Sequence, residues 1–340
     1  MKPKVILVTG AAGFIGFHLC NALIKKGFYV LGIDALTDYY DVSLKLKRLE
    51  ILKKSKYFEF SKLRIDTDEF LEFSRDQSSI DIIVHLAAQA GVRYSIEHPR
   101  EYVDTNLIGT FNLLEFAKNA RVSHMLMAST SSVYGANKNM PFYENQKCDG
   151  QMSFYAATKK ANEVMAHSYS HIHEIPITVF RFFIVYGPWG RPDMALFKFA
   201  DSILKGKPIE VYNFGNMKRD FTYVEDLAEA ITRLLKVIPD HKITNYRKYL
   251  NDSLSKVAPY RIVNIGNSTP VKLMDYILAL ENALGLPAAK EFLPMQPGDV
   301  PETFANTELL KSLIGYAPST SVEDGVAKFV EWFKDYRQIK

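Results

Sequence analysis

Lys4-Val-Ile-Leu-Val-Thr9 runs directly into Gly10-Ala-Ala-Gly13-Phe14-Ile15-Gly16, and this stretch decides the fold class. The first six residues form a near-continuous apolar run, the pattern of a parallel strand buried on both faces. Gly10 lets the chain turn sharply, Gly13 admits a pyrophosphate close to backbone N–H groups, and Gly16 allows close helix–strand packing. Phe14 to Lys26 reads as an amphipathic helix whose N-terminus faces the phosphates. The spacing is G-x-x-G-x-x-G, a departure from the commoner G-x-G-x-x-G. Taken alone, the triplet could also be a turn without a ligand. A second strand, Tyr29-Val-Leu-Gly-Ile33, ends in Asp34. A carboxylate there can accept hydrogen bonds from an adenosine ribose diol and would repel a 2′-phosphate, so NAD is expected in preference to NADP.

Tyr155-Ala-Ala-Thr-Lys159 follows a hydroxyl cluster, Ser129-Thr130-Ser131-Ser132. The four-residue spacing places Tyr155 and Lys159 on one face of a helix. A free phenol has a pKa of about 10 and is a poor base at neutral pH. A neighbouring ammonium, and the positive ring of an oxidised nicotinamide, would favour the phenolate and lower that pKa. Tyr155 then becomes a proton acceptor for a sugar or alcohol hydroxyl, with a Ser/Thr hydroxyl holding the same oxygen. A surface tyrosine above a solvated lysine is the commoner origin of such a pair. The glycine fingerprint and the hydroxyl cluster turn it into a candidate site.

Composition excludes several classes. The 340 residues are 47% hydrophobic and 24% charged, ordinary for a soluble globular enzyme, and suffice for a large core with two lobes. A net charge of +4 with no long basic block does not point to nucleic acid. Cys20 and Cys148 lack metal-ligand spacing and do not suggest a disulfide framework, and no metal site is expected. No apolar run is long enough to span a membrane, and a strand begins directly after Met1-Lys2-Pro3, so a cytoplasmic protein is expected.

Strand-like runs at about 57–60, 81–86, 123–128 and 176–182 alternate with helical stretches at about 67–77, 100–120 and 153–172. This alternation predicts an α/β fold: a Rossmann-like, doubly wound parallel sheet with helices on both faces. The Ser/Thr cluster falls at the carboxyl end of a strand, where such sheets bind ligands. After residue 188 the pattern becomes less regular. The expected division is a cofactor domain over 1–188 and a smaller C-terminal α/β substrate lobe over 189–340, with room for parts of the later chain to fold back onto the sheet. Residues 238–258 read as a polar surface loop.

These residues together resemble the extended short-chain dehydrogenase/reductase family, and within it the nucleotide-sugar 4-epimerases. The resemblance covers nearly the whole chain. It is carried by the glycine fingerprint, His85-Leu86-Ala87-Ala88-Gln89-Ala-Gly-Val-Arg93, Asn106, Val133-Tyr-Gly135, Tyr155-x-x-x-Lys159, Tyr186-Gly-Pro188 and Arg219-Asp-Phe221. Asp38-Tyr-Tyr-Asp41, Gly187-Pro-Trp-Gly-Arg191-Pro-Asp-Met-Ala195, Met217-Lys-Arg-Asp-Phe-Thr-Tyr223 and Met295-Gln-Pro-Gly-Asp299 are similar to stretches of the UDP-glucuronate 4-epimerases.

The resemblance implies an isomerase that uses tightly held NAD. Tyr155 would accept the C4 hydroxyl proton while C4 passes hydride to the cofactor. Thr130 would bind the same oxygen, and Lys159 the nicotinamide ribose. It implies cofactor contacts at Gly10, Gly13, Phe14, Ile15, Gly16, Asp34, Leu86, Ala87, Ala88, Gln89 and Asn106, with Asp66 on the adenine amino group. Ser131 and Ser132 would hold the sugar, while Arg93, Arg191 and Arg219 would serve the UDP-sugar. Guanidinium groups suit a diphosphate because they bind its oxygens bidentately. Asp66 could equally be a solvated loop carboxylate and Arg93 part of a structural ion pair; His85 is expected to be packed, not catalytic. Relatives form homodimers through a four-helix bundle, so the helices at 100–120 and 153–172 could pair through Leu107, Phe111, Leu114, Ala161 and Met165, or simply cover the sheet.

One position departs from the pattern. Ile184 stands in Arg-Phe-Phe-x-Val-Tyr-Gly-Pro where the subfamily usually carries a Thr that helps hold the sugar carboxylate. Recognition of an acid must then rest on Thr130, Ser131 and Ser132, or the substrate is a neutral or N-acetylated UDP-sugar such as UDP-glucose or UDP-N-acetylglucosamine. A 4,6-dehydratase would carry an Asp-Glu pair where Ser131-Ser132 stand, and a UDP-glucuronate decarboxylase a Glu at Ser132; both are disfavoured. An inactive NAD-binding regulatory protein would not need the Thr130/Tyr155/Lys159 set.

Overall fold

The opening apolar run forms strand β1 (Val5–Thr9) at the centre of a seven-stranded, all-parallel sheet. The structure is a computed structural model and describes residues 4–75, 77, 79–242, 249, 251–296 and 299–338. Alternation along β1 sends Ile6 and Val8 into the core on one face and Leu7 into the core on the other. β2 (Tyr29–Asp34) and β3 (Phe58–Lys62) continue the sheet on one side. β4 (Ile82–His85), β5 (His124–Ala128), β6 (Ile177–Phe182) and finally Tyr260–Ile265 continue it on the other. The strand order therefore reverses between β1 and β4, and the crevice at the carboxyl ends there is the natural ligand site of a doubly wound sheet.

β3 to β6 lie within two residues of the expected strands. The helix expected over 153–172 is Phe154–His173, capped by the Ser153 hydroxyl, which accepts from the Ala156 N–H at 3.1 Å. The helix near 67–77 spans Asp68–Arg75, and residue 76 lies outside the described residues. The stretch 100–120 is not one regular helix. It runs as Pro99–Tyr102, a π-helical turn over Val103–Ile108, and Gly109–Ala120. Part of the 238–258 segment, residues 243–248 and 250, likewise lies outside the described residues.

From Ile184 onward, across the expected boundary at 188, the chain builds a mixed four-stranded sheet. In it Lys218–Tyr223 pairs with Ile184–Tyr186, Pro270–Lys272 and Glu302–Thr303, and a parallel pair, Ile209–Tyr212 with Lys290–Leu293, lies apart. Its core is aromatic, with Phe221 stacked on Tyr276 at 3.9 Å. The later chain also returns to the large sheet. Val224–Leu234 packs against the helix Phe14–Lys25, and Tyr260–Ile265 forms an edge of the large sheet. Among the described residues no helix is long and apolar enough to cross a membrane, and no His/Cys/Asp/Glu group could hold a metal ion. Cys20 and Cys148 are free and buried.

Candidate active site

The glycine turn is built so that nothing larger fits. Gly10 has φ +73°, and a Cβ there would lie 2.9 Å from the Ala87 nitrogen; at Gly16 it would lie 2.0 Å from the Gly10 carbonyl oxygen. Asp34 holds the turn from the end of β2: its Oδ2 accepts from the Ala12 N–H at 3.1 Å and its Oδ1 from the Leu36 N–H at 2.8 Å. A cavity of about 380 Å³ opens at these strand ends. Its floor is Gly10, Gly13, Phe14, Ile15 and Gly16; Asp34 and Asp66 stand at one end; Leu86, Ala87, Ala88 and Gln89 form a wall. Thr130, Ser131, Ser132, Tyr155 and Lys159 close the other end.

Tyr155 and Lys159 project into that cavity from one face of Phe154–His173. The Lys159 ammonium, buried, donates to the Ala128 carbonyl at 2.9 Å, and desolvation lowers its pKa to about 8. The Tyr155 phenol is also shifted by burial, upward, with a hydrogen bond from Thr130 and the charge of Arg191 opposing. The depression of the phenol expected from the neighbouring ammonium is absent here: burial dominates, and the opposing groups are Thr130 and Arg191, not Lys159. Thr130 caps the 3₁₀ turn Ser131–Tyr134, its hydroxyl oxygen accepting from the Ser132 N–H at 3.2 Å. Ser129 is turned away: its hydroxyl donates to Glu163 at 2.7 Å. Glu163, one helical turn beyond Lys159, forms a buried bidentate pair with Arg181, at 2.9 Å through both guanidinium arms. The hydroxyl strand end and the Tyr155/Lys159 helix are thus tied to each other behind the cavity.

A second cavity of about 310 Å³ adjoins the first, and Phe14, Ile184, Val185, Arg191 and Met194 line both. Phe197, Tyr212, Phe221, Tyr276 and Phe329 make it aromatic. Arg93 and Arg219 bring positive charge to its wall. Arg93 pairs with Asp299 at 3.0 Å and lies 4.6 Å over the Tyr212 ring; Arg219 donates to the Lys218 and Val300 carbonyls. Arg191, at the junction, forms a bidentate pair with Asp193.

Two residues from the sequence reading stand behind the cavity. Asn106, on the π turn, donates to the Gln89 carbonyl at 3.1 Å and the Thr158 hydroxyl at 3.1 Å, and accepts from the Gln89 N–H at 2.8 Å, so it shapes the wall from the rear. His85 is buried between Thr9 and Thr110, at 2.8 and 3.1 Å, and burial pushes its pKa down to about 3. Asp66 lines the cavity and is gripped by Arg64 at 2.7 and 3.2 Å. Sequence reasoning missed three residues. Lys45 lines the Asp34 end, donating to the Thr37 carbonyl at 2.7 Å; Tyr39 lines the same cavity. Arg48, fully buried, binds the Ala12 carbonyl, the Tyr40 hydroxyl and the Trp189 carbonyl, joining the glycine turn to the segment that leads to Arg191. The Asp38-Tyr-Tyr-Asp41 motif carried the only sequence signal for this group.

Residues 6–245 match the model of the NAD dependent epimerase/dehydratase family. A protein of Rhizobium meliloti (strain 1021), described as a probable UDP-glucuronate 4-epimerase, is 51% identical over 98% of each chain. UDP-glucuronate 4-epimerase 4 of Arabidopsis thaliana is 43% identical over 97% of this chain and 75% of its own. The crystal structure of UDP-glucuronic acid 4-epimerase from Bacillus cereus, in complex with UDP-glucuronic acid and NAD, superposes with a TM-score of 0.86 at 34% identity, covering 98% of this chain and 100% of that one.

Proposed function

The chain belongs to the NAD dependent epimerase/dehydratase family, and we propose that it interconverts UDP-glucuronate and UDP-galacturonate by epimerisation at C4. The observation that carries this reading is the meeting of the two cavities, with Thr130, Tyr155 and Lys159 in the first and Arg191 and Ile184 on the shared wall. The residues of the first cavity fit NAD: the glycine-only approach at Gly10 and Gly16 admits a pyrophosphate at a helix N-terminus, and the Asp34 carboxylate suits a ribose diol. NAD⁺ held there would supply the acceptor, and then the donor, for the C4 hydride.

The chain's own residues handle the proton and the orientation. Thr130 donates to the C4 oxygen. Tyr155 takes the C4 hydroxyl proton and gives it back to the C4 oxygen after the 4-keto sugar has turned its other face for the hydride to return. The Lys159 ammonium binds the nicotinamide ribose and favours the phenolate when the phenol ionises. Ser131 and Ser132 donate to the sugar carboxylate. By pinning it they keep the bond to the carboxylate out of line with the C4 carbonyl π system, the alignment through which a β-keto acid loses CO₂. The aromatic cavity takes the nucleoside, and Arg93, Arg191 and Arg219 take the diphosphate. The cofactor part comprises residues 1–188 with the returning segments 224–234 and 260–265; the rest forms the nucleotide-sugar lobe.

The enzyme acts as a cytoplasmic homodimer through the helices Gly109–Ala120 and Phe154–His173. Phe111 and Val164 are exposed on them, whereas Leu114 is buried against the sheet and does not belong to that face. Light scattering at micromolar concentration tests this; a monomer mass overturns it. A second substrate reading is favoured by one observation: Ile184 places an isoleucine on the junction where an acid would want a donor. Incubation with UDP-glucuronate, UDP-glucose and UDP-N-acetylglucosamine at equal subsaturating concentration decides between them. The acid should be epimerised fastest; faster turnover of UDP-N-acetylglucosamine would select the neutral reading.

A further inference from the structure

Arg191 and Asp193 face each other as a fork: Nε to Oδ1 at 3.0 Å and Nη2 to Oδ2 at 2.5 Å. Carboxylate and phosphate are the two groups that match a guanidinium bidentately. Arg191 stands where the two cavities meet, so the Asp193 carboxylate holds the arms that a diphosphate crossing the junction would use. The two side chains are 22% and 27% exposed, accessible enough for exchange without opening the core. On the other side stands Tyr39. Its hydroxyl donates to Asp193 Oδ2 at 3.2 Å, its ring lies 5.7 Å from the Arg191 guanidinium, and packing on Tyr94 at 4.8 Å fixes that ring.

We propose that Asp193 is an internal competitor for the diphosphate of the UDP-sugar, occupying Arg191 between turnovers and left to the Tyr39 hydroxyl alone when the diphosphate takes the guanidinium. The inference rests on the UDP-sugar reading above. Its effect falls on binding, not on chemistry at C4. Substrate and product share the same UDP handle, so a carboxylate that reclaims Arg191 weakens both alike and hastens product release. A uniform change of this kind moves Kd and KM together and leaves the chemical step alone.

Asp193→Asn tests it, because the amide keeps the shape and an acceptor for Tyr39 but removes the charge. Calorimetric titration of the NAD-loaded protein with UDP should give a Kd about tenfold lower in the variant than in wild type, with uridine binding unchanged. In an Arg191→Met background the same substitution should change the UDP Kd by no more than about twofold, since the guanidinium for which it competes is gone. A carboxylate that merely orients Arg191 for the substrate predicts the opposite sign. Weaker or unchanged UDP binding in Asp193→Asn, or a tenfold gain that persists without Arg191, overturns the competitor and leaves the UDP-sugar reading standing. Wild-type protein that binds no UDP overturns that reading and the inference with it. Asp193→Ser carries the same expectation should the Asn variant fold poorly.

Discussion

Replacing Lys159 with methionine should make the NAD-free protein more stable at pH 7 while abolishing turnover. Lys159 is 3% exposed, and its ammonium has a neutral carbonyl as hydrogen-bond partner, that of Ala128. Burial lowers its pKa from 10.5 to about 8, and a difference of that size corresponds to about 3 kcal/mol. Between pH 8 and 10.5 the unfolded chain keeps a proton that the folded chain has released, so stability rises with pH across that window. Below pH 8 both states are protonated and the full cost of burying the charge is present. Methionine has a similar length and no charge; it removes this cost but forfeits the hydrogen bond to Ala128, worth about 1 kcal/mol. The net gain at pH 7 is about 1–2 kcal/mol, and it should vanish by pH 10. Urea denaturation of cofactor-stripped protein at pH 7, 8.5 and 10 reads it out; stripping matters because bound NAD stabilises the native state by mass action. A variant less stable than wild type at pH 7, or a stability difference that does not change with pH, would refute the reasoning. The expected outcome marks Lys159 as a residue retained for chemistry at the expense of stability.

Tyr155→Phe should lower turnover by at least about 10²-fold, within the usual range for a lost general acid–base group, with NAD still bound after purification. Near-wild-type turnover would remove Tyr155 from the mechanism. Asp34→Ala should weaken NAD binding in a fluorescence titration and narrow the preference over NADP; a wild type that binds NADP more tightly than NAD would end the ribose assignment. Ile184→Thr adds a donor at the junction, and a hydrogen bond to a charged group is worth about 1.5–3 kcal/mol, so KM for UDP-glucuronate should fall by roughly 10- to 100-fold. KM for neutral UDP-sugars should stay close to wild type, and an equal fall for all of them would contradict an acid contact.

Much of the fold was legible because its signals are local. The apolar run before Gly10, and the spacing of Tyr155 from Lys159, each depend on a few adjacent residues and a fixed period. The π turn at Val103–Ile108 was not legible: the apolar positions of 100–120 continue through it, and the extra residue per turn shows only in how Asn106 reaches Gln89 and Thr158. Ser129 illustrates a second limit. Four consecutive hydroxyl residues look equivalent in sequence, yet the strand end directs Ser129 toward Glu163 and the 3₁₀ turn keeps Thr130, Ser131 and Ser132 in the cavity wall. Arg48 and Lys45 carry no local sequence signal of their place in the fold. Only tertiary packing against Ala12, Trp189 and Thr37 buries them. The return of Tyr260–Ile265 to the sheet depends on pairing with a strand 83 positions earlier, which no local pattern records.

Transient oxidation at C4 with return of the same hydrogen is the centre of the account, and UDP-glucuronate carrying deuterium at C4 tests it most directly. After incubation with the purified enzyme in ordinary water, the 4-epimers are separated and the isotope at C4 is read by mass spectrometry and NMR. The account predicts UDP-galacturonate that keeps its deuterium at C4. Recovery of unchanged substrate alone, or of an epimer that has taken its C4 hydrogen from water, would contradict it.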